Sequence, residues 1–227
     1  RRQRQMCIRD SYIVYGNDEI WITELNEDLT APKKDGLHRL LVSDHKNPEL
    51  GYEGSHIQKI NGYYYIFLVH SLRDRWMRTE ACFYSDSLEG EFTGGDVLCD
   101  DRGYCGQGVA QGGIVDTPDG KWYAMLFQDS GAVGRIPILL PVTWKDHFPF
   151  FGQNGHVPEE IEVHSTRPGY IYQPLVGSDD FCNGLLPRWQ FNHDPDPRYY
   201  HLDALQGTYT ICLLYTSPSP RDRSLSR

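Results

Sequence analysis

The strongest constraint on this 227-residue chain is a hairpin signature that occurs twice. Residues 55–60 run through Asn61-Gly62 into residues 63–69. Residues 112–115 run through Asp116-Thr117-Pro118-Asp119-Gly120 into residues 121–127. Asn-Gly supplies the two left-handed positions that a two-residue hairpin loop needs, because both residue types tolerate positive φ. Each turn leads into an aromatic strand, YYYIFL and KWYAMLF, and the turn glycines Gly62 and Gly120 lie 58 residues apart. A third strand of this kind, residues 12–15 (YIVY), opens the body, with its hairpin partner expected upstream. Further strands are predicted at 19–24, 39–43, 80–85, 136–142 and 160–164, and no amphipathic helix interrupts them. A multi-strand unit repeating at this interval suits propeller blades with long outer loops, although hairpins alone also suit a sandwich.

Composition narrows the class. Aromatic residues make up 13% of the chain, with 15 Tyr, 5 Trp, 22 Gly and 14 Pro, which fits an all-β, turn-rich protein rather than a helical bundle or a disordered chain. The formal charge of −9 argues against non-specific nucleic-acid binding, so no nucleic-acid partner is expected. No apolar run approaches the roughly 18 residues of a membrane-spanning helix, so no membrane partner is expected. The ends differ from the body. Residues 1–10 carry four Arg, and residues 213–227 form a Ser/Pro/Arg tract. Neither has a period that would bury a face, and both resemble translated sequencing-adaptor sequence, so both are read as artefact tails. Without them the body holds 15 basic against 29 acidic residues. On this reading the chain is cut at both ends.

Six cysteines are present. Cys7 and Cys212 fall in or beside the tails, leaving Cys82, Cys99, Cys105 and Cys182. Cys99 and Cys105 could close a short loop, but free thiols are the preferred reading. No CxxC and no His at zinc-ligand spacing occur, so no metal site is assigned. Beyond Pro174 the chain becomes dense in Asp, Pro and Trp, with short strands at 199–202 and 208–211. Residues 11–174 are therefore expected to be propeller blades, and 175–212 the start of a β-sandwich.

The chemistry is expected at one repeated position. Nine residues before each turn glycine stand Glu53, in Gly51-Tyr52-Glu53-Gly54-Ser55-His56, and Gln111, in Val109-Ala110-Gln111-Gly112-Gly113. Both are polar, flanked by glycine, and lead into a strand. Equivalent positions on innermost strands of a propeller face one axis, which makes Glu53 a candidate general acid and an exposed strand-end Glu the plainer alternative. His56 and Tyr52 stand beside it. Asp18, Asp28, Asp35 and Asp44 read as loop and turn residues.

The run Glu-Gly-Ser-His-Ile-x-Lys-Ile-Asn-Gly-Tyr-Tyr-Tyr resembles the general-acid motif of glycoside hydrolase family 43. The stretches VAQGGIVDTPDGKWYAMLFQD, GAVGRIPILLPVTW and FFGQNGHVP resemble that family's last blades. Residues 175–211 resemble the sandwich often attached behind them. The resemblance implies a five-bladed propeller, an inverting mechanism, and β-xylosidase or α-L-arabinofuranosidase activity on xylo-oligosaccharide or arabinoxylan. It makes Glu53 the acid and Arg135 a wall of the sugar subsite. Gln111 stands where many members carry a His near a central cation, so a structural calcium ion there is an open expectation and no other cofactor is required. Trp76, with Arg75 and Arg78, forms an aromatic–basic loop that either shapes the pocket mouth or is simply solvated. The family's base Asp and its pKa-modulating Asp are expected upstream of Ser11, and a secreted or periplasmic protein is favoured. The rival readings are a non-catalytic carbohydrate-binding propeller and a five-bladed hydrolase acting on arabinan or fructan.

Overall fold

The structure, a computed structural model, describes residues 11–163, 165, 167–172, 174, 177–187, 189, 191 and 196–211. The two tails and His164 lie outside the described residues. The chain divides into two compact units, Arg1–Val163 and His164–Arg227. The division falls ahead of the boundary expected after Pro174, because Val157 is the last side chain packed on the first unit's core. The strand expected at 160–164 does not form over residues 160–163.

Three antiparallel meanders make up the first unit, each an up-and-down sheet of the propeller-blade kind. The first sheet contains β1 (Ser11–Asn17), β2 (Glu19–Leu25) and β3 (His38–Ser43). The second contains β4 (Glu53–Ile60), β5 (Tyr63–Ser71), β6 (Arg78–Ser85) and β7 (Thr93–Leu98). The third contains β8 (Ala110–Asp116), β9 (Trp122–Asp129), β10 (Arg135–Lys145) and β11 (Phe148–Phe151). β7 and β11 escape the sequence pattern for physical reasons. β7 carries Gly94, which approaches β6 so closely that a Cβ there would lie 2.0 Å from the Cys82 carbonyl oxygen. β11 carries Pro149, which an edge strand tolerates because no ladder donor is needed.

The middle sheet is covered on both sides, and the two-residue period of β5 divides its side chains between two cores. Tyr65 and Phe67 join Leu98, Ile114, Leu126, Leu140 and Phe151 against the third sheet. Ile66 and Leu68 join Ile20, Ile22, Leu41 and Phe92 against the first. The turn between β4 and β5 has Asn61 at φ 49° and Gly62 at φ 93°, the type I′ geometry that its sequence specifies. Cys82, Cys99, Cys105 and Cys182 are free thiols. In the second unit, β12 (Tyr200–Asp203) and β13 (Thr208–Ile211) form a hairpin. Phe181 and Trp189 pack against Tyr209 of this hairpin, with the Trp189 indole N–H donating to Asp179 at 2.8 Å.

One polar cluster joins the first two sheets. His70 of β5 is buried, with Nδ1 3.3 Å from Asp44 Oδ2 and Nε2 2.8 Å from Asp96 Oδ1. Asp44 follows β3, and Asp96 lies on β7. Asp44 also receives the Arg73 guanidinium and, at 2.7 Å, the Asn47 amide. Asp44 thus lies in the loop that its sequence context suggested and is a buried hub there. Burial opposes charge on His70, but Asp96 and Asp44 outweigh it and lift the imidazole above its ordinary value. The Tyr52 ring lies 5.0 Å from His70, and burial, then Asp44 and Asp96, push its hydroxyl up to about 12, so it stays neutral.

A histidine whose folded-state pKa is raised contributes stability fully below its unfolded value of about 6.5, and that contribution is lost as pH rises through the folded pKa. Urea unfolding from about pH 5.5 to 8 should therefore show a falling midpoint across that window. His70→Gln should flatten the fall and lower the acid-side midpoint. An unchanged slope in the variant would place the titration elsewhere.

Candidate active site

Glu53 opens β4 opposite Val69, but the next paired residues are His56 and Phe67, so β4 carries one extra residue. β8 does the same between Ala110, opposite Phe127, and Gly113, opposite Met125. Both extra residues make bulges, which bend a strand and re-aim its side chains. The left-handed positions are Gly54 at φ 64° and Gln111 at φ 67°. Register therefore matches Gly54 with Gln111, and Glu53 with Ala110. Counting back from the turn glycines paired Glu53 with Gln111, one residue out. The slip arises in the turns: β4 and β5 close at Ile60 and Tyr63 around two residues, whereas β8 and β9 close at Asp116 and Trp122 around a longer loop.

The approach to Glu53 is held by the first sheet. Asp18, at the tip of the β1–β2 hairpin, donates its backbone N–H to Tyr52 O at 2.9 Å and accepts from Asp44 N at 2.8 Å. Gly51 lies so close that a Cβ there would be 2.0 Å from Asp18 Oδ1. Asn17 donates its side-chain amide to Glu53 Oε2 at 3.2 Å, and the Ser55 hydroxyl donates to Val14 O at 3.4 Å. Glu53 is half-buried.

From the other side comes Gln111. Its side chain crosses Gly54, where a Cβ would lie 2.4 Å from Gln111 Nε2. Its backbone N–H donates to Glu80 Oε2 at 2.6 Å. Glu80, on β6, is wholly buried and stands in the same cross-strand row as Val69 and Glu53. Burial drives its carboxyl well above the usual carboxylate range, against the opposing pull of the Gln111 N–H and Arg78. Arg78 precedes it by two residues, on the same face of β6.

Arg78 links this group to Arg135. Its Nη1 donates to Asp129 Oδ2 at 3.0 Å, and its Cζ lies 4.7 Å from the Phe127 ring centroid. Arg135, opening β10, donates Nε–H to Asp129 Oδ1 at 3.3 Å and places Cζ 4.5 Å from the same ring. Burial lowers the Arg78 pKa, partly offset by Asp129, while Arg135, Glu80 and Glu53 also act on it. The two guanidiniums thus share one carboxylate and one aromatic ring.

Among the residues singled out from sequence, Glu53 and Gln111 meet through Gly54, and Arg135 joins them through Arg78. His56 is exposed, with its ring beside Gly113 of β8. Trp76 is 40% exposed and lies over Gly106. Arg78, read as part of a loop with Arg75 and Trp76, is instead the buried first residue of β6. Asn17, Glu80 and Asp129 drew no notice in the sequence. The one available signal was Arg78-Thr79-Glu80, an Arg and a Glu two apart at the head of an otherwise apolar strand. Among the described residues no three His, Cys, Asp or Glu converge as a metal cluster. Gln111 could offer one neutral amide oxygen, to a cation or to a water that a cation carries.

A family model described as glycosyl hydrolases family 43 matches residues 7–149. A β-xylosidase from Formosa agariphila is 28% identical over 179 residues, covering 70% of this chain and 30% of that protein. A non-reducing end α-L-arabinofuranosidase from Bacteroides ovatus is 26% identical over 174 residues, covering 70% and 32%. The chain thus spans about a third of the length of these curated relatives. Among solved structures, a bifunctional GH43-CE protein of Bacteroides eggerthii superposes with a TM-score of 0.74 at 37% identity, over 94% of this chain and 28% of that one. A GH43 glycoside hydrolase engineered to display both endo-xylanase and exo-arabinofuranosidase activity gives a TM-score of 0.67 at 26% identity, over 86% and 37%.

Removing the shared carboxylate tests the Arg78–Asp129–Arg135 arrangement. Asp129→Ala leaves Arg78 buried without its ion-pair partner. Its cost should be about 2 kcal/mol in urea unfolding, less than for a fully buried pair, because the Asp129 side chain is 38% exposed. Asp129→Asn, which retains an acceptor, should cost less. Equal stability of all three proteins would remove Asp129 from this role.

Proposed function

This chain belongs to glycosyl hydrolase family 43, and from that premise we propose that the protein containing it is an inverting glycosidase that releases xylose or arabinofuranose from xylo-oligosaccharide or arabinoxylan. The relatives named as a β-xylosidase and an α-L-arabinofuranosidase support this substrate class. The observation that carries the reading is the placement of Glu53. Its half-buried carboxyl stands on the bulged first strand of the second sheet, held by Asn17 and adjoined by Gln111, with two arginines grouped nearby.

In this reading Glu53 is the general acid. It gives its proton to the glycosidic oxygen as the bond to the anomeric carbon breaks, and the sugar passes through an oxocarbenium-like transition state. Inversion requires a second carboxylate about 6.5–9.5 Å away to take a proton from the attacking water. We assign that base, and the Asp that modulates the acid's pKa, to the part of the protein upstream of Ser11. Glu80 cannot serve as the base, because it is wholly buried and engaged with the Gln111 backbone. Arg135, 65% exposed in its side chain and fixed by Asp129 and Phe127, is placed to donate hydrogen bonds to sugar hydroxyls.

Leaving-group chemistry tests the role of Glu53 directly. In the full-length protein, Glu53→Gln should lower hydrolysis of pentosides with poor leaving groups by about 10²–10⁴-fold, while a dinitrophenyl pentoside, which departs without protonation, should lose far less. Equal loss on both substrates would show that Glu53 is not the acid. Paired assays on aryl xyloside and aryl arabinofuranoside would choose the sugar. The 227-residue chain alone, lacking an assigned base, should show no turnover. Glu53-dependent hydrolysis by it would mean that the base lies within these 227 residues.

A further inference from the structure

The buried carboxyl of Glu80 has no part in the reaction just described. Its Oε2 accepts the Gln111 N–H at 2.6 Å, and its Oε1 is buried without a hydrogen-bond partner among the described residues. Burying a carboxyl this way is costly, and strand β6 would be more stable with an apolar residue of the same size unless the group serves a local purpose. That purpose is visible in what Glu80 touches. Gln111 is a non-glycine residue in left-handed backbone, a conformation that costs about 1–2 kcal/mol and persists only where its surroundings enforce it. The Gln111 side chain in turn lies across Gly54, the residue after Glu53, at a separation that admits no side chain between them.

We propose that Glu80 is a positioning residue for the general acid: its carboxyl holds the Gln111 backbone in the left-handed conformation, and the Gln111 side chain, braced in this way, seats the Glu53–Gly54 bulge and fixes where Glu53 points. The contacts run in one direction, from β6 to β8 and back to β4, so the second and third sheets together aim a group that neither could fix alone. The role needs a hydrogen-bond acceptor at Glu80 and not a negative charge. Burial favours the neutral carboxyl, and the orphaned Oε1 offers a place for its proton. The proposal rests on reading Glu53 as the acid.

The test uses full-length protein and two pentosides, one with a poor and one with a dinitrophenyl leaving group. Glu80→Gln keeps an acceptor of the same shape and should hold both rates within about twofold. Glu80→Leu should lose about 10²-fold on the poor leaving group and little on the activated one, because only the first needs an aimed acid. Gln111→Gly, which keeps the backbone donor, tolerates positive φ and deletes only the brace, should fold normally and show the same selective loss. This variant decides the matter if Glu80→Leu does not fold. Equal loss on both substrates in a variant with native melting behaviour would overturn the proposal. So would a Glu80→Gln protein as impaired as Glu80→Leu, or a folded Gln111→Gly protein with both rates intact. Glu53→Gln, run beside them, separates the two readings: if it lacks leaving-group selectivity, the acid assignment fails first.

Discussion

Alternate side chains of β5 enter different cores, Tyr65 and Phe67 on one side and Ile66 and Leu68 on the other. A strand apolar on both faces cannot stand at a water-exposed surface, so the sheet that carries it must be covered twice. That requirement sets the first and third sheets against the second. It brings Asn17 from one neighbour and Gln111 from the other to the same end of β4. The geometry around Glu53 is thus a by-product of burying one strand.

Much of this was legible in the residues because the signals are local. Asn61-Gly62 forces one turn type, and an aromatic run after it has few alternatives to a strand. Nine of the strands of the first unit were anticipated; β7 and β11 were missed because Gly94-Gly95 and Pro149 read as breakers, although one marks a close approach and the other an edge. The equivalence of Glu53 and Gln111 failed by one residue, since counting along a chain assumes equal turns, and hydrogen-bond register does not respect that assumption. Arg78 was misplaced for a related reason. A charged residue beside a loop looks solvated until its partner, 51 residues away, is known.

What Glu80 does was beyond sequence reasoning, even where Arg78-Thr79-Glu80 stands out as a pair of charges in an apolar strand. Its acceptor role depends on a backbone N–H 31 residues later, and no residue type announces a backbone contact. Bulges share this property. Their signature here is one extra residue per strand and a positive φ, filled by glycine at 54 and by glutamine at 111. The glutamine departs from the usual preference and so draws attention only after the structure shows what holds it.

The tie between the hairpin tip and the approach to Glu53 is made by main-chain atoms: Asp18 N to Tyr52 O, and Asp44 N to Asp18 O. Every amino acid except proline carries these same atoms. A substitution at position 18, 44 or 52 leaves those atoms in place, even where, as at Asp44, it cuts buried side-chain contacts, whereas Gly51, squeezed against the side chain and Cα of Asp18, has no room for a Cβ. The register of these two segments is thus written in the backbone and in one residue without a side chain.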